Sequence, residues 1–281
     1  SFFGSSAGYA NTTGNYNSFV GHLAGYFNTT GGGNSFFGDA AGYLNTIGEC
    51  NSFVGQAAGW SNTTGSANSF FGHMAGFSNT TGYHNSFYGY QAGKANTTAN
   101  SNSFFGSQAG RYNTTGGGNS FFGSSAGTGN TTGYSNAFFG YQAGKANVTG
   151  YVNAFFGTYA GAANTAYGNA FFGDSAGCVN TTGFYNSFFG GGVGHANSTG
   201  SNNLFAGTTA GLHNTTGSYN SVVGYAAGSA NTTENNNSFF GAYSDGAAGI
   251  TNATAIGYRA SVTQSNSLVL GGVNGVNGAT A

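Results

Sequence analysis

Asn68-Ser69-Phe70-Phe71-Gly72-His73-Met74-Ala75-Gly76-Phe77-Ser78-Asn79-Thr80-Thr81-Gly82-Tyr83-His84 is one of a series of similar 17-residue blocks that runs from Ser1 to about Asn237. The shared text is Asn-Ser-Phe-Phe-Gly-x-x-Ala-Gly-x-x-Asn-Thr-Thr-Gly-x-x. One Asn column falls at Asn17, Asn34, Asn51, Asn68, Asn85, Asn102, Asn119, Asn136 and Asn153, and after a single spacing of 16 it resumes at Asn169, Asn186, Asn203, Asn220 and Asn237. A second Asn column lies 11 residues further on in each block and also survives the deletion, which sits between Asn164 and Asn169. A block this short owns no core, so successive blocks must stack.

Composition narrows the architecture. With 55 Gly but no Pro, the chain lacks the Gly-x-y period and imino acids of collagen. A net charge of −1 with 27 Phe and 18 Tyr is opposite to the signature of disorder. Helical repeats need about 30 residues or more per unit. The glycines after the Phe pair, after Ala and after Thr-Thr instead cut each block into short extended pieces rich in aromatic and β-branched residues. The fold class this predicts is all-β, a parallel β-solenoid (β-roll) of about 16 turns, mostly 17 residues per turn and 14 near the C-terminus. Residues 1–236 form the 17-residue-repeat part, and residues 237–281 form a transition to 14-residue repeats continuous with it. At ~4.8 Å per turn, Cys50 and Cys178 lie roughly 38 Å apart and cannot pair within one chain.

Stacking gives each column a meaning. Phe19, Phe36, Phe53, Phe70, Phe87, Phe104 and Phe121 precede Val20, Phe37, Val54, Phe71, Tyr88, Phe105 and Phe122, so in a regular strand the two columns face opposite ways. Phe36, Phe70, Phe104 and Phe121, with Phe37, Phe71, Phe105 and Phe122, are the candidate core and assembly columns. Either the outer column is an apolar stripe covered by another subunit, or a local bend turns both rings inward. The Ala column (Ala24, Ala41, Ala58, Ala75, Ala92, Ala109) leaves room for the rings.

The text changes from Asn252, which opens Asn-Ala-Thr-Ala-Ile-Gly, to Asn266, which opens Asn-Ser-Leu-Val-Leu-Gly 14 residues later. This resembles the head repeats of YadA-like trimeric autotransporter adhesins, whose pattern is Asn-Ser-x-Ala-Ile-Gly with a period of 14. The upstream blocks look like a longer version of such repeats in bacterial surface and tail-fibre proteins. They are three residues longer and carry Phe where the family has an aliphatic pair. The resemblance implies a left-handed parallel β-roll, three chains side by side, an extracellular or cell-surface address, adhesion to host or matrix surfaces, and no catalytic residues.

Asn11, Asn28, Asn62, Asn79, Asn96, Asn113, Asn130, Asn147, Asn180, Asn197, Asn214, Asn231 and Asn252 each open Asn-x-Ser/Thr, the N-glycosylation acceptor pattern, whereas Asn45 and Asn164 lose it. Three readings stay open here. The column could be a hydrogen-bonded amide ladder, a glycan coat on a fibre, or an ice-binding array with Asn and the second Thr on one face. Tyr9, Tyr26, Tyr43, Trp60, Phe77, Lys94 and Arg111 occupy a variable edge, suited either to sugars or another protein or to plain solvation.

Enzymatic signals are weak. Asp39, Glu49, Asp174, Glu234 and Asp245 fall on different turns with no repeated partner, so no catalytic residues are assigned. His73 with His84 and His195 with His213 lack a recurring second ligand type, so neither a metal nor a cofactor is expected. Lys94, Arg111, Lys145 and Arg259 are too few and scattered for nucleic acid. No apolar stretch approaches the ~20 residues of a membrane span, and no signal peptide is marked, although a chain that begins inside a block is uninformative on secretion. The functional expectation is therefore an extracellular structural or adhesive repeat protein forming a rod or self-assembling fibre. Its partners would be copies of itself and glycans or a host surface, with ice binding as the alternative.

Overall fold

A computed structural model describes residues 1–271. The chain is an all-β parallel β-solenoid of about 16 turns with ~17 residues per turn and no helices among the described residues. It divides into two compact units, Ser1–Tyr141 and the part from Gln142 onward. In each unit one three-residue strand per turn pairs in parallel with the same position of the next turn. Ser18, Phe19 and Val20 lie opposite Ser35, Phe36 and Phe37, and so on to Ala137–Phe139 in the first unit. The second unit runs likewise from Ala154–Phe156 to Leu268–Leu270.

The second unit absorbs every change of period. Ala154 pairs with Ala170 across the 16-residue block. In that block Asn164 reaches the carbonyl of Ala166, two residues on, where Asn180 reaches Gly183, three residues on. The omitted residue is thus the second Thr, whose side chain is exposed in the other blocks. Further on, Ser238 pairs with Thr254 at a spacing of 16, and Thr254 with Leu268 at 14. A short second ladder, Asp245–Gly246 against Ser261–Val262, appears there.

Three-residue strands cannot hold a sheet alone, and the hydrogen bonds that run along the stack extend well beyond them. In the corners Gly25 N–H donates to Ala41, Phe27 to Tyr43 and Thr29 to Thr46, each at 2.9–3.0 Å. From Phe19 to Phe205 the inward ring of each strand is fully buried, and in the first unit successive rings from Phe36 to Phe138 lie 4.8 Å apart and within 9° of parallel. Because that spacing exceeds the ~3.5 Å contact distance of carbon atoms, the rings are offset, the arrangement their quadrupoles favour. The Ala column is buried beside them. Gly59 shows why glycine follows it: its φ is +59°, and a Cβ there would sit 2.5 Å from Cε2 of Phe53.

The glycine after Thr-Thr behaves differently from the sequence expectation. It has no positive φ, and the left-handed corner comes two residues later at non-glycine positions such as Tyr16 (60°), Cys50 (56°) and His84 (55°). A second such column holds Leu23, Ala40, Met74 and Gln91. Each costs of order 1 kcal/mol or more. Interturn bonds such as Met74 N–H to Gln56 and Gln91 N–H to His73, both 3.0 Å, hold them in place.

Replacing the inward Phe87 by Ala should lower unfolding free energy by about 3–5 kcal/mol. Tyr88→Ala next to it, half-buried on the outer face, should cost less, about 1–2 kcal/mol for its two ring contacts. Paired denaturant melts check the contrast.

Candidate functional site

The strands place the two aromatic columns on opposite faces. Phe36, Phe70, Phe104 and Phe121 point inward and are fully buried, whereas Phe37, Phe71, Phe105 and Phe122 point outward. The bend that would turn both rings inward does not occur. The outer rings partly cover one another: Phe71, Tyr88, Phe105, Phe122 and Phe139 stack at 4.6–4.7 Å, within 6° of parallel. Phe37 and Phe189 remain 41% and 42% exposed. Beside this stripe runs the first strand position, mostly Ser or Ala and half-buried, and no three-residue strand carries a charged residue. The result is a flat, uncharged face on each unit that presents ring edges to solvent.

The sequon column lies inside. Asn28, Asn62, Asn79, Asn96, Asn113, Asn130, Asn147, Asn180, Asn197, Asn214 and Asn231 are buried, Asn11 is half-buried, and Asn252 alone of the set is exposed. In the buried ladder an amide reaches the turn before it and its own corner: Asn79 Nδ2 donates to Asn62 Oδ1 at 2.8 Å and to the Gly82 carbonyl at 3.0 Å, and Asn96 Nδ2 donates to Asn79 Oδ1 at 2.8 Å. Asn45 and Asn164, which lack the sequon, sit in the same ladder, accepting from Asn62 and Asn180 at 2.7 Å. A glycan on Nδ2 would replace one of the two N–H groups that make these bonds and would have to leave a buried position, so glycosylation and the intact ladder exclude each other at the buried positions. The other Asn column works through the main chain, with Asn85 N–H donating to Asn68 Oδ1 at 3.0 Å and Asn68 Nδ2 to Gly82 O at 2.8 Å.

The same burial removes the proposed ice-binding array, because Asn and the second Thr do not share a face. Of the two threonines, the first spends its hydroxyl on the next turn, as Thr63 Oγ1 does on Thr80 O at 3.1 Å. The second is exposed throughout, whereas the first is half-buried in most blocks and exposed at Thr12, Thr165, Thr181 and Thr232. On the variable edge, Tyr9, Tyr26, Tyr43, Trp60 and Phe77 form a continuous stack at 4.5–6.0 Å, followed by Lys94 and Arg111. Neighbouring rings take up the ring faces that a sugar would need. Both cysteines are free thiols. His73 stacks on Tyr90 at 5.5 Å and His84 meets Tyr83 edge-on at 5.1 Å, so these two imidazoles are placed by rings.

Sequence reasoning missed the role of Glu234. In ordinary blocks one threonine carbonyl receives several N–H groups from the turn before, as Thr232 O receives those of Thr215 and Thr216. The turn after Thr232 is shortened, and Glu234 Oε2 stands in by accepting Thr232 N–H at 2.6 Å and Thr233 N–H at 2.8 Å, while Oε1 accepts Gly249 N–H at 2.7 Å. The signal was one acidic residue in the column otherwise held by Gly or Ala. Burial pushes its carboxyl up, but the N–H groups of Gly249, Thr232 and Thr233 outweigh this and hold it below the usual carboxylate range. Asp245 accepts Ala230 N–H at 2.8 Å and Ser229 Oγ at 3.0 Å, and its burial keeps its carboxyl above the ordinary value.

A tandem-repeat parallel β-solenoid with an uncharged aromatic outer face is the class of protein these features define. No family model matches the chain, and no curated protein matches it either. Among the described residues no helix is long and apolar enough to cross a membrane.

Asn79→Ala should destabilise the first unit by roughly 2–3 kcal/mol, because it strands the amide of Asn96 and the oxygen of Asn62; chemical unfolding measures this. Since the folded carboxyl of Glu234 titrates below its unfolded value, its stabilisation is complete above that unfolded value and disappears as pH falls through the folded one. Thermal melts between pH 7 and pH 3 should therefore show an acid-sensitive loss that Glu234→Gln flattens while lowering stability at pH 7.

Proposed function

We propose that this chain is a non-catalytic structural repeat protein of an extracellular or cell-surface assembly, and that copies associate through the outward Ser/Phe face. The observation that carries this reading is the stripe itself. In the first unit it runs through nine positions from Phe3 to Phe139 without a charge, and its rings stack on one another from Phe71 to Phe139. Seven of these positions are rings and two, Val20 and Val54, are aliphatic, so the stripe is apolar along its length, and the adjoining Ser column widens it. A partner must also match a ring every 4.8 Å over many turns, and a second copy of this repeat does so by construction.

Several other features support a scaffold role. Within each unit side-chain and main-chain hydrogen bonds tie one turn to the next, which resists local opening. Lysine and arginine total four, which leaves few points for basic-residue proteases. The likeness of Asn252 to Gly271 to adhesin head repeats favours the surface address. The glycan coat is not part of this proposal at the buried asparagines, so native material should carry no added mass on them.

Sedimentation velocity tests the association. The wild-type chain should form dimers or larger species at micromolar concentration, and the triple variant Phe71→Arg, Phe105→Arg, Phe122→Arg should sediment as a monomer with an unchanged far-ultraviolet spectrum. A wild-type chain that stays monomeric at high concentration, or a variant that associates as well, refutes the proposal.

A further inference from the structure

Each column of this solenoid carries one residue per turn, and in the Phe columns rings on consecutive turns stack. In the left-handed corner column, Tyr16, Gly33 and Cys50 follow one another, and Gly31, Gly32 and Gly33 strip one turn of side chains at the surface. The outcome is an open notch of about 330 Å³ floored by Gly32 and Gly33. Tyr16 is 94% exposed, and its ring meets no other ring among the described residues. On the turn beside it the column holds Gly33, so no side chain covers that side of the Tyr16 ring.

The same column shows that such a vacancy accepts a ring. At Gly168 the ring of Tyr185 has moved into the gap, where an added Cβ would lie 2.6 Å from its Cδ1. At Gly33 the nearest atom to an added Cβ is Cys50 Sγ at 3.4 Å, and no ring enters. Around the notch stand Thr13, Asn15, Thr30 and Glu49, whose side chains make no hydrogen bond within the described residues. An aromatic or aliphatic occupant would desolvate these groups without pairing them. A sugar ring would pair them.

We propose that this notch binds one pyranose residue of a neutral glycan. Its C–H face lies on the negative ring face of Tyr16, and its hydroxyls take Thr13, Thr30, Asn15 and Glu49 as hydrogen-bond partners. The volume sits at the low end of the ~300–1,000 Å³ of small-molecule sites, as a single sugar unit requires. The site is remote in kind from the Ser/Phe stripe and independent of self-association, so the two proposals fail separately.

Saturation-transfer NMR on the full chain, with methyl β-D-glucopyranoside and methyl β-D-galactopyranoside as probes, tests the assignment. Transfer should appear on the ring C–H protons of at least one probe and disappear in Tyr16→Ala. It should also disappear in Gly33→Tyr, a variant that fills the rung and that the backbone accepts, because tyrosine already stands at φ 60° in this column at Tyr16. The bound sugar should slow alkylation of Cys50 at least twofold while leaving Cys178 unaffected. Absence of transfer from both probes, undiminished transfer in folded Gly33→Tyr, or stronger binding of phenol than of either glycoside overturns the proposal.

Discussion

Registered hydrogen bonding from one turn to the next is the constraint on which the rest of this molecule depends. A three-residue strand contributes too little pairing to persist alone, and the corners carry polar groups that no strand can satisfy. The asparagines solve the second problem. Gly31 O accepts from Asn17 at 2.8 Å and from Asn28 at 3.0 Å, so one carbonyl at each corner closes both amide columns. Burying these amides without partners would cost more than the rings could return; paired, they fix each turn directly over its neighbour.

Exact superposition of turns then dictates the side chains. Identical residues meet at 4.8 Å, a distance at which phenyl rings pack offset and parallel, so one inner Phe per turn fills the core with a single continuous stack. The same geometry on the outer face makes a stripe whose rings shield one another's faces and offer only edges. That is a surface suited to an equally periodic partner, and poorly suited to a flat ligand seeking a ring face.

Chemical individuality enters where the repeat is interrupted. The shortened turn beyond Thr232 lacks an acceptor, and Glu234 supplies it from a column otherwise held by Gly or Ala. The bare turn at Gly32 and Gly33 leaves an unfilled place beside Tyr16. In both cases the interruption acquires properties because its neighbours remain strictly regular.

The parallel stack, its period and the in-register alternation of Phe36 with Phe37 follow from sequence alone, because a 17-residue repeat leaves the chain no other way to bury its rings. Tertiary structure alone decided which way the asparagines point. Asn-Thr-Thr reads equally well as a glycan acceptor, an exposed array or an internal ladder, and only the corner carbonyls, placed by the preceding turn, select the ladder. It likewise decided the left-handed corners at residues such as Tyr16 and Met74, since their strain is offset by interturn hydrogen bonds that no local propensity encodes. Glu234 belongs with these, because its role depends on an acceptor missing from a turn that begins some dozen residues further along the chain.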